Sequence, residues 1–313
     1  MDFVEALDEF PVILAEGAVT ERLRREFAVP LDPFINHAGF IYDSGKRAVL
    51  HSIYRQYIEL AASRDLPILT MTPTRRADPG RIASAGFQDR DVNGDCVRFL
   101  RSIRAECGEP PSSVYIGGLM GCEGDAYNGR EALAPREARD FHACQADRLA
   151  GAGVDFLFGA TLPAVSEAIG LAEAMAQTGE PYILSFVIRP DGTLLDGTLL
   201  HDAMAGIDGQ VSPKPAGYMV NCVHPSILLR ALAVEGNANS LVRRRLIGIQ
   251  GNASAKSPEE LDGADELAAE DIGDWVDGME RLRREHRLRV FGGCCGTDSL
   301  YIGMRAGRLP GWA

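Results

Sequence analysis

The sequence has no excess of positive charge. Its 313 residues carry a formal net charge of −12 at pH 7. Nonspecific nucleic-acid binding needs Lys and Arg to neutralise phosphates, and attachment to an anionic membrane surface needs basic clusters, so both are disfavoured. No run approaches the roughly 20 apolar residues of a membrane span. The first residues, Met1-Asp2-Phe3-Val4-Glu5, lack the basic region and apolar segment of a secretory leader. A cytoplasmic protein is expected. A disulfide framework is missing too: the cysteines number seven, an odd count, and are scattered at Cys96, Cys107, Cys122, Cys144, Cys222, Cys294 and Cys295. In a reducing compartment such thiols are buried, metal-bound or catalytic. There is no internal repeat, low-complexity tract or evident linker, so one domain over 1–313 is expected.

What the chain does contain is alternation. Strand-like apolar runs fall at 10–15, 66–72, 113–119, 154–159, 182–188, 216–221, 245–250 and 288–292. Helix-like segments separate them, at 20–27, 47–64, 95–107, 135–151, 162–178, 225–234 and 266–284, with a shorter one ending at Gly206. Segment 73–93 reads as a long polar loop carrying Arg75, Arg76, Arg81 and Arg90. It is solvated on the simpler view and in contact with an anionic ligand on the other. Strands alternating with helices imply a parallel sheet with helical crossovers. Eight of each suggest a single (β/α)8 TIM barrel of the usual ~250-residue kind. A doubly wound open sheet is the competing architecture; the strand count favours the barrel. The helix at 266–284 offers a surface for self-association into a homo-oligomer.

A barrel of this type places its active site at the C-terminal strand ends. Reading those ends in turn gives Glu16-Gly17, Thr72, Cys122-Glu123, Ala160-Thr161, Asn221-Cys222, Gly251-Asn252 and Cys294-Cys295. Cys222 closes the run Gly217-Tyr218-Met219-Val220-Asn221, and Cys294-Cys295 lie in Phe291-Gly292-Gly293-Cys294-Cys295-Gly296-Thr297. Three thiolates around a metal with one position open is a catalytic zinc arrangement, whereas a closed structural site more often has a fourth protein ligand. Cys222 and Cys294 are 72 positions apart, far wider than a zinc finger, so tertiary folding must bring them together. Two simpler accounts compete: a buried vicinal pair with an unrelated single thiol, or a phosphate site at Gly292-Gly293 with the cysteines incidental. Cys96, Cys107 and Cys144 fall in helical segments and read as small core residues. Cys122 follows a strand and is the one other candidate. His37, His51, His142, His201 and His286 show no paired spacing and read as surface or structural residues. His224 supports the site or starts a helix.

Asn-Cys before a helix, followed some seventy residues on by Gly-Gly-Cys-Cys-Gly-Thr, resembles the homocysteine S-methyltransferase family, over nearly the whole chain. The resemblance implies a zinc-dependent enzyme with metal ligands Cys222, Cys294 and Cys295, taking a small thiol acceptor and a methyl donor. Homocysteine is the implied acceptor and a small sulfonium or ammonium compound the implied donor. Glu16-Gly17 falls where the family has Asp-Gly, which holds the amino-acid part of homocysteine. Asn221 matches the family's Asn before the first cysteine. Thr72 and Thr161 fall beside the implied substrate. Two departures stand out, one of them at the first strand, where the family's usual Gly-Met-Gly-Thr-like sequence is here Ala18-Val19-Thr20-Glu21. The family's Glu-Thr-Ile-Pro at strand four is here Ala160-Thr161-Leu162-Pro163, which removes a carboxylate for the substrate ammonium. Either Glu16 or Glu123 supplies that charge, or the acceptor is another thiol or a selenol. A non-catalytic zinc- or ligand-binding barrel is the reading from a different class.

Overall fold

The computed structural model describes residues 1–107, 114–256 and 269–307. Eight parallel strands close into a barrel in sequence order, and β1 pairs with β8 through Ile13–Val290 and Leu14–Phe291. They are β1 (Ile13–Ala15), β2 (Ile68–Met71), β3 (Val114–Met120), β4 (Phe156–Leu162), β5 (Tyr182–Phe186), β6 (Gly217–Val223), β7 (Leu246–Gly251) and β8 (Val290–Gly293). The (β/α)8 expectation therefore holds, with strand ends shifted by a few residues. Strand residues are buried on both faces, which is why the strands read as apolar runs rather than alternating ones. Alternate residues fill the barrel interior, among them Ile13 and Ala15 of β1, Leu69 and Met71 of β2, and Phe156 and Phe158 of β4. Gly117 makes room for that filling. A Cβ there would lie 2.6 Å from the Phe156 ring and 2.7 Å from the Met71 sulfur.

One element goes beyond the expected pattern. A helix at Phe3–Glu9 precedes β1, started by a capping box in which Asp2 and Glu5 satisfy each other's backbone N–H. Its Phe3 ring stacks on Phe156 at 4.1 Å and meets Tyr115 edge-on at 6.0 Å. Phe3, Ala6 and Leu7 join the cluster that fills the barrel interior, so this helix stoppers the barrel.

Segment 73–93 is not a plain loop. It contains a helix at Pro79–Ser84, capped by Asp78, and the next helix begins at Val92, capped by Asp91. A further helix, Ser240–Arg245, lies between the expected helix at 225–234 and the seventh strand and takes in Arg245, the first residue expected in that strand. The predicted helix at 266–284 appears as Ile272–His286; its first three residues lie outside the described ones. Trp275, Val276, Met279 and Leu282 on this helix are buried. Among the described residues, no helix is long and apolar enough to cross a membrane.

Candidate active site

The barrel brings the strand-six and strand-eight cysteines together. The Sγ atoms of Cys222, Cys294 and Cys295 all lie within 4.8 Å of one another. Cys222 sits inside β6 rather than after it. Its φ of +57° is left-handed, and the pairing of β6 with β7 slips between Asn221 and Val223. A bulge of this kind re-aims a side chain, here into the barrel mouth, at a backbone cost that only function or dense packing sustains. The other two sulfurs ride on the turn after β8. Cys294 N–H donates to the Gly251 carbonyl (2.8 Å), and Ala253 N–H donates to the Cys295 carbonyl (2.9 Å). The Thr297 hydroxyl closes the turn on the Cys294 carbonyl (2.7 Å). Gly293 must be glycine, because a Cβ would fall 2.0 Å from the Thr297 hydroxyl oxygen.

Exposure grades across the cluster: Cys222 is buried, Cys294 half-buried and Cys295 exposed. Hydrogen bonds from the Cys294 and Cys295 thiols hold Cys222 well below the ordinary thiol range against its burial. The same coupling pushes Cys294 and Cys295 up. The cluster thus favours one thiolate, on Cys222. Tetrahedral zinc with sulfurs at about 2.3 Å requires sulfurs about 3.8 Å apart, and soft thiol donors suit it. The spacing and chemistry of the three donors fit that ion.

Asn221 organises the strand ends. Its Oδ1 accepts from the Thr161 N–H (2.9 Å) and the Ser185 hydroxyl (2.7 Å). Its Nδ2 donates to the Thr161 hydroxyl (2.8 Å) and to Cys222 Sγ (3.3 Å). Thr161, a β-branched residue, also has a left-handed φ of +59°, at a register shift between β4 and β5. Such a conformation is a genuine outlier for this residue type, and the Asn221 amide holds it there. Thr72 is buried; its hydroxyl accepts from Leu119 N–H (2.9 Å) and pairs with Thr74 (2.7 Å).

A cavity of about 570 Å³ opens beside the sulfurs, lined by Glu16, Gly17, Thr72, Thr161 and Asn221 among others. The sequence-predicted site residues therefore converge on one space. Glu16 is the strand-end carboxylate that faces it; Glu123 is not part of the wall. Ala160 is, and contributes no charge. Gly17 packs against Tyr57, whose hydroxyl oxygen would lie 2.6 Å from a Cβ at that position.

Glu16 is buried, and its Oε2 accepts from the Met71 N–H (3.0 Å). Burial pushes its carboxyl well above the ordinary range, partly offset by that hydrogen bond. A carboxyl whose folded pKa exceeds its unfolded value binds more protons in the native state. Its contribution to stability is full below about pH 4.3 and is lost as the pH rises through the folded pKa. Glu16→Gln, free of ligand, is therefore expected to gain in melting temperature relative to wild type as pH is raised. Melting curves across that range check this, and a pH-independent difference contradicts it.

Two residues of the site, Tyr127 and Glu21, are not evident in the sequence, and a third, Arg75, is not distinguished there from the other arginines of segment 73–93. Tyr127 lies on the loop after β3, and its hydroxyl faces Cys222. That loop is anchored by Glu167, fully buried, which accepts from Glu123 N–H (2.7 Å) and pairs with His142 (3.0 Å). Arg75 also lines the cavity. Glu21 reaches over to accept from Gly296 N–H on the cysteine turn and pairs with Arg25 (2.9 Å). His37, read as a surface or structural residue, is buried at the cavity wall, where desolvation lowers it to about 4, so it is neutral at physiological pH.

The remaining candidates take structural roles. Cys122 bonds the Gly124 carbonyl (3.6 Å) and stands outside the sulfur cluster. The His224 ring accepts from Ser226 N–H (3.2 Å) and so starts the Pro225–Ala233 helix. Cys96 is a core residue as expected and Cys107 packs partly against the core, but Cys144 is exposed. Helical position alone does not tell an inward thiol from an outward one.

Residues 13–306 match the model of the homocysteine S-methyltransferase family. The chain belongs to that family. Members of the homocysteine S-methyltransferase family are thiol S-methyltransferases with homocysteine as acceptor, and this chain is an enzyme of that kind. A curated relative from Bacillus subtilis (strain 168), homocysteine S-methyltransferase YbgG, is 23% identical over 308 residues, covering 93% of this chain and 92% of that protein. The metallated form of the homocysteine methyltransferase MmuM from Escherichia coli superposes with a TM-score of 0.78 at 22% identity, covering 97% of this chain and 99% of that one. The oxidised form of MmuM gives 0.77 at 23% identity, covering 97% and 98%. These structural likenesses support the barrel.

Proposed function

We propose that Cys222, Cys294 and Cys295 hold a zinc ion and that the adjoining cavity takes homocysteine together with a small sulfonium or ammonium methyl donor. The observation that carries this reading is the convergence of three sulfurs within 4.8 Å at the edge of a cavity of about 570 Å³. Zinc bound there would keep an added substrate thiol deprotonated at neutral pH and electron-rich. A free thiol, with a pKa near 8.5, is mostly protonated under those conditions.

The residues divide the remaining work. Glu16 presents a buried carboxylate to the acceptor's ammonium, with the Gly17 backbone beside it. Asn221 orients Cys222 and fixes Thr161, a role that tunes metal ligands elsewhere. Thr72 shapes the wall. Glu21 lines the same cavity with its charge offset by Arg25, and neutral His37 adds none. The acceptor sulfur forms its bond to the methyl carbon as the donor's bond breaks, its electron pair leaving on the donor's sulfur or nitrogen. Ala160, which leaves the strand-four wall uncharged, motivates a second reading in which another small thiol or a selenol is the acceptor.

X-ray absorption at the metal edge tests the proposal. One zinc per chain with sulfur ligands, gaining one further sulfur when homocysteine is added, is the expected result. An unchanged sulfur count would redirect attention to other thiols, and protein that binds no zinc under reducing conditions would overturn the metal assignment.

A further inference from the structure

Segment 73–93 carries four arginines, and three have evident structural partners. Arg76 donates to the Phe34 carbonyl (3.2 Å), Arg81 pairs with Asp78 (2.7 Å), and Arg90 lies over the Tyr42 ring at 5.0 Å. Arg75 differs. It lines the thiol cavity, and its Nε is buried with no hydrogen-bond partner among the described residues. The ionisable groups that act on it most strongly are Tyr127, Cys122, Cys222 and Cys294, none of them a carboxylate. A buried guanidinium N–H left unpaired is costly, and the fork of a guanidinium matches a carboxylate in shape and charge.

Its position is set by the fold. The Arg75 carbonyl accepts from Gly121 N–H (2.9 Å), which ties the segment to the end of β3. The stem lies on Gly121, where a Cβ would come within 2.8 Å of Arg75 Cγ and 3.2 Å of its Nε. A side chain larger than hydrogen at position 121 would displace it. Glu16 belongs to the same cavity wall and hangs from the end of β1, bonded to Met71 of β2. Glu21, Arg24 and Arg25 belong to the same wall, with Glu21 paired to Arg25 at 2.9 Å; of the wall's arginines, Arg75 is the one with a buried N–H that has no partner among the described residues.

We infer that Arg75 is the carboxylate-binding residue for the thiol acceptor, so that the site selects thiols bearing an acid group. This inference rests on the reading of the cavity as the acceptor site and goes beyond it by assigning the group recognised. The competing role is a purely electrostatic one, with Arg75 offsetting negative charge on the sulfurs. The two differ in what they predict for thiols that lack a carboxylate.

The test is calorimetric titration of the zinc-loaded protein with three thiols. Homocysteine has both charged groups, 4-mercaptobutanoate lacks the ammonium, and 3-aminopropane-1-thiol lacks the carboxylate. Arg75→Met is expected to weaken homocysteine and 4-mercaptobutanoate by about tenfold to a hundredfold, the worth of a charge-assisted hydrogen bond, and to leave 3-aminopropane-1-thiol within about twofold. Arg75→Lys, which keeps the charge without the fork, should show a smaller loss with the same selectivity and guards against a Met variant that folds poorly. Equal weakening of all three thiols, or of none, overturns the inference, as does wild-type protein that prefers the thiol lacking a carboxylate. Binding is read without a methyl donor, so failure of methyl transfer in a parallel turnover assay would bear on the proposed reaction and not on Arg75.

Discussion

Replacing Cys222 by alanine is expected to yield a folded protein that retains no zinc and transfers no methyl group. Zinc held by cysteines in small sites contributes apparent binding energies of roughly 10–16 kcal/mol near neutral pH, shared among few ligands. Cys222 is the buried member of the three and the one whose thiolate the others favour. Cys294 and Cys295 alone would leave two neighbouring donors on one turn, with the β6 side of the site empty. Alanine bears the same left-handed φ of +57° that Cys222 already adopts, so the substitution leaves the backbone strain unchanged. Metal analysis of purified protein and a product assay with homocysteine read the two effects separately. Cys122→Ala is the control. Its thiol contacts the Gly124 carbonyl and stands outside the sulfur cluster, so zinc content should be unchanged. A Cys222→Ala protein with one zinc per chain and near-normal turnover would remove this residue from the metal set.

The cysteine site was legible because its signal is local twice over. Asn221-Cys222 and Gly293-Cys294-Cys295-Gly296 each read as a thiol at a strand end, and a closed eight-stranded barrel gathers all such ends on one rim. The strands themselves were legible for a related reason: their residues are buried on both faces, so each is a short apolar run that survives inspection without an alignment. Their ends were less so. Thr161 and Cys222 lie within β4 and β6 in left-handed conformations, at register shifts that hydrophobic patterning does not encode. The Phe3–Glu9 helix did carry a signal, the Asp2-Phe3-Val4-Glu5 capping box. A segment of seven residues is too short for helical periodicity to declare itself, and its burial depends on the barrel interior it fills.

The charged part of the wall was hidden for a different reason. Arg75 stands in a run of four arginines, and composition alone cannot say which of them turns inward. Gly121, some 46 positions on, decides it by leaving space for the stem. Tyr127 is placed by Glu167 and His142, two residues on separate helices whose pairing has no sequence spacing to betray it. The charged wall of this site is therefore a tertiary property, whereas the sulfur cluster is nearly a sequence property.

Asn221→Ala is expected to damage stability and metal affinity together, though it removes neither a ligand nor a charge. The amide bridges four groups: the Thr161 N–H, the Thr161 and Ser185 hydroxyls, and the Cys222 sulfur. Asn221 is buried, so water cannot readily replace it. Each buried polar group left unpaired costs about 1–3 kcal/mol, and the Thr161 N–H is held in a conformation that β-branched residues avoid. A loss of about 3 kcal/mol in unfolding free energy follows, large against the 5–15 kcal/mol by which most domains are stable. Residues that orient metal ligands typically change affinity ten- to a hundredfold when removed, and zinc competition against a chelator should show a loss of about that size. Adding Thr161→Gly to Asn221→Ala separates the two effects. Glycine adopts a φ of +59° without strain and carries no hydroxyl to satisfy, so part of the stability should return. Zinc affinity should not, because Cys222 remains without its Nδ2 hydrogen bond. If zinc affinity and stability recover in step, the amide acts on the metal site through the β4 bulge alone, and its bond to the Cys222 sulfur is incidental.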